Sequence, residues 1–198
     1  MNHLLAMATV PFRTVCWSPI WNKSHEKIGL EHLVLANGVA DSVVLAIDED
    51  DKPFRLDYHL RWNQSGCLLE AELMLFKGKV SQSMGIRADG QGHWRHVDGR
   101  RIPELDGCID IDIWPTPFTN SFPLWRTPMT INQRQEFRMA WISGPELTVE
   151  AKSQAYSRLG ERLYLFESLD GSRFQAELPL DEGGLVLDYP DLFRRVNT

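Results

Sequence analysis

From Phe54 to Trp62 the chain reads Phe-Arg-Leu-Asp-Tyr-His-Leu-Arg-Trp, apolar and polar residues alternating without a break. A period of two gives a strand one buried and one wetted face; a helix would instead repeat its apolar positions every three or four residues. The next residues, Asn63-Gln64-Ser65-Gly66, form a turn cluster, and Cys67 to Phe76 continues as an apolar run that carries Glu70 and Glu72 two apart on one face. The two segments predict an antiparallel hairpin with Arg61 and Arg55 across from Glu70 and Glu72, ion pairs worth up to about 1 kcal/mol each on a solvated face.

The same punctuation recurs along the chain. Further strands are predicted at Gly29 to Leu35, Val39 to Ile47, Val80 to Ala88, Trp94 to Val97, Ile109 to Ile113, Phe137 to Ile142, Leu147 to Val149, Leu163 to Glu167, Phe174 to Leu180 and Gly184 to Leu187. Turn signals such as Ala36-Asn37-Gly38, Asp89-Gly90-Gln91-Gly92 and Asp98-Gly99 separate them at the short spacing of meandering antiparallel sheet. Helix signals are confined to Leu4 to Val10 and to Asp191 to Val196, the latter behind Pro190. So many strands in 198 residues with no linker predict one all-β domain spanning residues 1–198. Its sheet must curl or fold over, as an incomplete barrel or barrel-like sandwich with few short helices.

Charge narrows the partners. The formal net charge is -6 and no block of Lys or Arg occurs, so a nucleic-acid partner, which needs clustered cations, is not expected. No apolar run reaches the roughly 18 residues of a membrane-spanning helix. No Lys or Arg precedes the apolar stretch Leu4 to Val10, unlike a secretory signal, and the chain reads as cytoplasmic. Cys16, Cys67 and Cys108 form no metal pattern, and Cys67 and Cys108 fall in strand-like runs as buried thiols. His93 and His96, three apart on a strand, face opposite sides. With no phosphate, dinucleotide, zinc-protease or nucleophile motif in the chain, no cofactor is expected. Oligomeric state is left open by the sequence.

The least generic stretch is WRHVDGRRIPELDGCIDIDIWPTPFTNSFPLWR, from Trp94 to Arg126. If Ile109 to Ile113 is a strand, its isoleucines face the core and Asp110 and Asp112 project together from the other face, roughly 6.5–7 Å apart. That spacing is compatible with paired-carboxylate chemistry, with ligand-orienting hydrogen bonds or with plain structure. Pro115, Pro117 and Pro123 exclude ordinary central strand and predict a rigid, shaped loop from Trp114 to Pro123. Asn120 and Arg126 can point to a polar headgroup, or Arg126 can be the internal counter-ion of Asp110 or Asp112. Trp62, Trp94, Trp114, Trp125, Trp141, Tyr156 and Tyr189 are either core or pocket lining.

Within this stretch, GCIDIDI followed by TPFTNSFP and a Trp-Arg pair resembles the bacterial family described as putative glycolipid-binding. The resemblance continues in Trp17 and Trp21, in Gln154-Ala155-Tyr156, and in Asp181 with Gly184 to Phe193, so it covers most of the chain in order. The family is similar in fold to the lipoprotein-carrier proteins of the bacterial envelope, whose curved, incomplete β-barrel holds acyl chains. The resemblance implies binding of a lipid or glycolipid in a concave interior, driven by burial of acyl chain at about 0.8 kcal/mol per methylene. The expected ligand-binding residues are Asp110, Asp112, Asn120, Arg126, Trp94, Trp125 and Tyr156. Two other readings stand beside it: an enzyme acting on a sugar or lipid with Asp110 and Asp112 as acid and base, and a ligand-free structural or interaction domain filled by its own aromatics.

Overall fold

A computed structural model describes residues 12–21, 29–36 and 38–196. The helix expected at Leu4 to Val10 lies outside the described residues. In the predicted hairpin, Phe54, Leu56, Tyr58, Leu60 and Trp62 are all buried, as the alternation requires. They belong to β4 (Pro53–Trp62), which pairs with β5 (Leu68–Lys77). The Asn63 side-chain oxygen accepts from the backbone N–H of Ser65 at 2.9 Å and of Cys67 at 3.0 Å, and Gly66 takes φ 79°, the left-handed value this tight turn needs.

Arg61 does face Glu70, at 2.8 Å, and Glu70 also holds Arg87. The second expected pair is corrected. In an antiparallel ladder the partner moves down one strand as the residue moves up the other, so Arg55 meets Phe76 and Glu72 meets His59. Arg55 instead lies 5.1 Å from the Phe76 ring centre and pairs with Asp57.

The remaining elements are β1 (Arg13–Pro19), β2 (Leu30–Ala36), β3 (Val39–Ile47), β6 (Val80–Ala88), β7 (Trp94–His96), β8 (Asp110–Trp114), α1 (Ser121–Arg126), β9 (Arg134–Ser143), β10 (Thr148–Arg158), β11 (Leu163–Ser168), β12 (Gln175–Pro179), β13 (Asp188–Tyr189) and β14 (Phe193–Val196). The fold is mostly β: a nine-stranded antiparallel sheet in the order β13-β14-β1-β2-β3-β4-β5-β6-β7, and a curled five-stranded half-barrel in the order β12-β11-β10-β9-β8. Among the described residues, no helix is long and apolar enough to cross a membrane.

β8 runs parallel to β9, and a parallel pair needs a crossover. The proline-rich segment supplies it. The stretch expected to be a rigid loop contains a 3₁₀ turn at Phe118–Asn120 and then α1, with Pro123 in the first turn, where its missing N–H is not needed. Phe118 and Phe122 are fully buried and pack with Trp62 and Trp125 at ring separations of 5.4–6.3 Å, so protein side chains occupy the space between the sheets there.

Three other expectations are corrected. Asp191 to Val196 is not helical: Asp191 sits at φ 61° in a tight turn, and β14 completes the ladder beside β1, with Cys16 opposite Val196 and Pro19 opposite Phe193. Leu147 to Val149 grows into the long β10, and Gly184 to Leu187 is a connection tied to the ladders by the Leu180–Val186 bridge and by backbone bonds of Leu187 to Pro179 and Arg195. β1 carries no signal as clear as that of β4, because Val15, Cys16 and Trp17 are buried in succession. Cys16 and Cys108 are buried and Cys67 is half-buried, all three as free thiols.

Candidate functional site

β8 is buried on both faces. Ile111 and Ile113 enter the core as expected, but the two carboxylates part company. Asp110 is 0% exposed, and the Arg126 guanidinium holds it with two bonds, Nε to Oδ1 at 3.0 Å and Nη2 to Oδ2 at 2.6 Å. Such a planar fork is the arrangement in which an arginine stabilises a buried carboxylate best. Of the alternatives the sequence left open, the structure therefore places Arg126 as the counter-ion of Asp110.

Asp112 lies on the side of β8 that faces a cavity of about 400 Å³. Thr119 donates to its Oδ1 at 3.1 Å and the Gln154 side-chain amide donates to its Oδ2. Burial pushes the Asp112 carboxyl above the ordinary range, against those two hydrogen bonds, which pull it down. Asn120 lines the same cavity, and its side-chain oxygen accepts from the Tyr156 hydroxyl at 2.9 Å. Tyr156 stands one contact behind the wall, fully buried between Phe137 and Phe166.

The other two aromatic candidates lie elsewhere. Trp94 is fully buried and its indole N–H bonds the Cys108 carbonyl at 2.8 Å, tying β7 to the segment that enters β8. Trp125 donates to the Gly183 carbonyl at 2.8 Å and packs tightly on Gly184, where an added Cβ would stand 2.5 Å from its Nε1. Gly184 also takes φ 78°, so Gly184→Ala should cost at least about 1 kcal/mol and lower the melting temperature, measured by calorimetry.

Aromatic rings line the same cavity beside the polar groups. Phe166, Phe174, Tyr189 and Phe193 form a chain of ring contacts with centres 6.0–6.3 Å apart. The cavity thus joins hydrogen-bonding groups to aromatic rings. Glu49, Trp114 and Trp141 are shared with a neighbouring cavity of about 490 Å³, and the two form one groove. Each lies within the roughly 300–1,000 Å³ typical of small-molecule sites. Trp21 packs against Trp114 with tilted rings 5.0 Å apart along this groove, and Lys152 Nζ sits 3.2 Å from the centre of the Trp141 ring.

Sequence reasoning missed Lys152 and Gln154 as lining residues. Their signal was the period-two series Glu150, Lys152, Gln154, which marks one polar face of β10. It missed Glu31 as well. Glu31 shares the inward parity of Leu33 and Leu35 and is 0% exposed. Its Oε1 accepts from Tyr58 at 2.6 Å, Thr116 at 2.7 Å and Ser42 at 3.1 Å, while Oε2 has no partner among the described residues. Burial raises its carboxyl to about 7 in spite of the three hydroxyls. Thr116 also lines the groove, so this carboxyl lies directly beneath its wall.

The search against solved structures finds a crystal structure of a DUF1089 family protein from Pseudomonas aeruginosa. It is 43% identical, with a TM-score of 0.84, over 87% of this chain and 94% of that one. Among curated proteins nothing matches. The family profile described as "Putative glycolipid-binding" matches residues 14–195, nearly the whole chain, and the chain belongs to that family.

Proposed function

We propose that the protein binds an amphipathic lipid or glycolipid, and that the groove on β8 to β11 receives it. The observation that carries this reading is the mixed lining of the cavity. Asp112, Asn120 and Gln154 offer carboxylate and amide groups suited to hydroxyls, and Phe166, Phe174, Tyr189 and Phe193 offer apolar rings in the same cavity. Family membership supports the same class of ligand. In this reading Tyr156 positions Asn120, and the Asp110–Arg126 pair fixes β8 against α1 from behind. The headgroup meets the polar wall, and the chain runs over the rings toward Trp114 and Trp21.

A titration of intrinsic tryptophan fluorescence with octyl glucoside below its micellar concentration tests the reading, since Trp114 and Trp141 line the groove. Saturable binding is expected, and glucose alone should bind far more weakly because it leaves the aromatic wall bare. Gln154→Ala should weaken octyl glucoside by about ten-fold, the loss of one good hydrogen bond to a charged partner's network. Absence of saturation by octyl glucoside, with the wild-type fold intact by circular dichroism, would defeat the proposal.

A further inference from the structure

The groove is strongly one-signed. Among the described residues, its two cavities are lined by Asp48, Glu49, Asp50, Asp112, Glu146 and Asp170, against two cations, Lys77 and Lys152. Lys77 is committed to Asp48 at 2.6 Å. Lys152 is committed to an aromatic surface, with its ammonium 3.2 Å from the centre of the Trp141 ring and 3.3 Å from Glu150. An indole face bordered by carboxylates is the environment that holds an organic ammonium ion, by ring quadrupole and by charge together. Here the chain's own lysine already uses that mode. Trp114 and Trp21, 5.0 Å apart, continue the aromatic surface beyond Lys152, with Glu49 lining both cavities beside them.

Resting on the binding reading above, we propose that the groove selects an amphiphile whose headgroup carries an ammonium group, such as an amino sugar, and turns away phosphate- or sulfate-bearing headgroups. A groove with this excess of carboxylates concentrates cations and repels anions before any contact forms. Rejection of the wrong ligand then comes from like-charge placement rather than from shape. Lys152 becomes an internal competitor: it occupies the Trp141 face that a ligand ammonium would use.

Three single-chain amphiphiles of equal tail length, octylammonium, octyl glucoside and octyl sulfate, separate the terms in calorimetric titrations at low salt below their micellar concentrations. Octylammonium is expected to bind about ten-fold tighter than octyl glucoside, and octyl sulfate to show no saturable binding. Glu49→Gln, at an exposed position, should weaken octylammonium by a larger factor than octyl glucoside. Lys152→Met should tighten octylammonium, a gain that mere damage to the wall could not produce. Octyl sulfate binding as well as the glucoside, the ammonium failing to exceed the glucoside, or Lys152→Met weakening octylammonium would each overturn the charge selection and leave the binding reading standing. Failure of all three amphiphiles would overturn both.

Discussion

Between pH 4.5 and 7 the protein should lose about 3 kcal/mol of folding stability through Glu31 alone, and Glu31→Gln should remove that loss. The sign follows from proton binding. Unfolded, a glutamate releases its proton near 4.5; folded, Glu31 keeps it to about 7, because the ionised form is buried among apolar side chains. In that window the native state binds the extra proton, so raising the pH favours unfolding. The contribution is fully present below 4.5 and gone above about 7. Glutamine retains an oxygen to accept from Tyr58, Thr116 and Ser42 and cannot ionise. Urea denaturation of both proteins at pH 5, 6, 7 and 8 measures the effect: the wild type should weaken across the series relative to Glu31→Gln, and parallel curves would show that Glu31 does not titrate there.

The second large effect belongs to Asp110 and Arg126. Arg126→Leu leaves a carboxylate at 0% exposure without its two hydrogen bonds, and the expected cost is about 3–5 kcal/mol, the usual penalty for stranding one half of a buried pair. Asp110→Leu should cost somewhat less, because the Arg126 side chain is 24% exposed and can turn toward water. The double variant should recover much of either loss, since two apolar groups leave nothing charged to desolvate. Chemical denaturation of the four proteins closes the cycle, and a coupling within about 0.5 kcal/mol of zero would reduce the pair to a crystal-like proximity with no energetic weight. The same variants address the acid–base reading of Asp110 and Asp112: the first is closed off by its arginine, and only the second reaches the groove.

The hairpin of β4 and β5 was legible because its alternation is strict and its turn chemistry explicit. β14 was not, since a four-residue strand after Pro190 gives too short a run for its period to show, and pairing with β1 brings together segments from opposite ends of the sequence. Such long-range pairing overrides local propensity. At the site, the motif around β8 pointed to Asp112 and Asn120, which do line the groove, but it could not separate them from Asp110, only two residues away. Telling them apart required knowing that α1 brings Arg126 onto Asp110 and leaves Asp112 to the cavity. Glu31 was legible in principle, as a charged residue at the inward parity of Leu33 and Leu35, but one such residue at the start of a strand does not by itself mark burial.

The groove's aromatic wall also bears on the order in which the protein becomes competent. Phe166 and Phe174 come from the small sheet and its connections, but Tyr189 and Phe193 belong to β13 and β14, which follow every other described strand along the chain and attach to the large sheet through β1. A nascent chain can therefore pair the other strands of both sheets and still have only half a groove. Closure of the wall and closure of the large sheet are one event, so an occupant bound as proposed between Asn120 and Phe193 would act as a rivet, resisting release of the β13–β14 hairpin and protecting the β1–β14 amides from exchange with solvent.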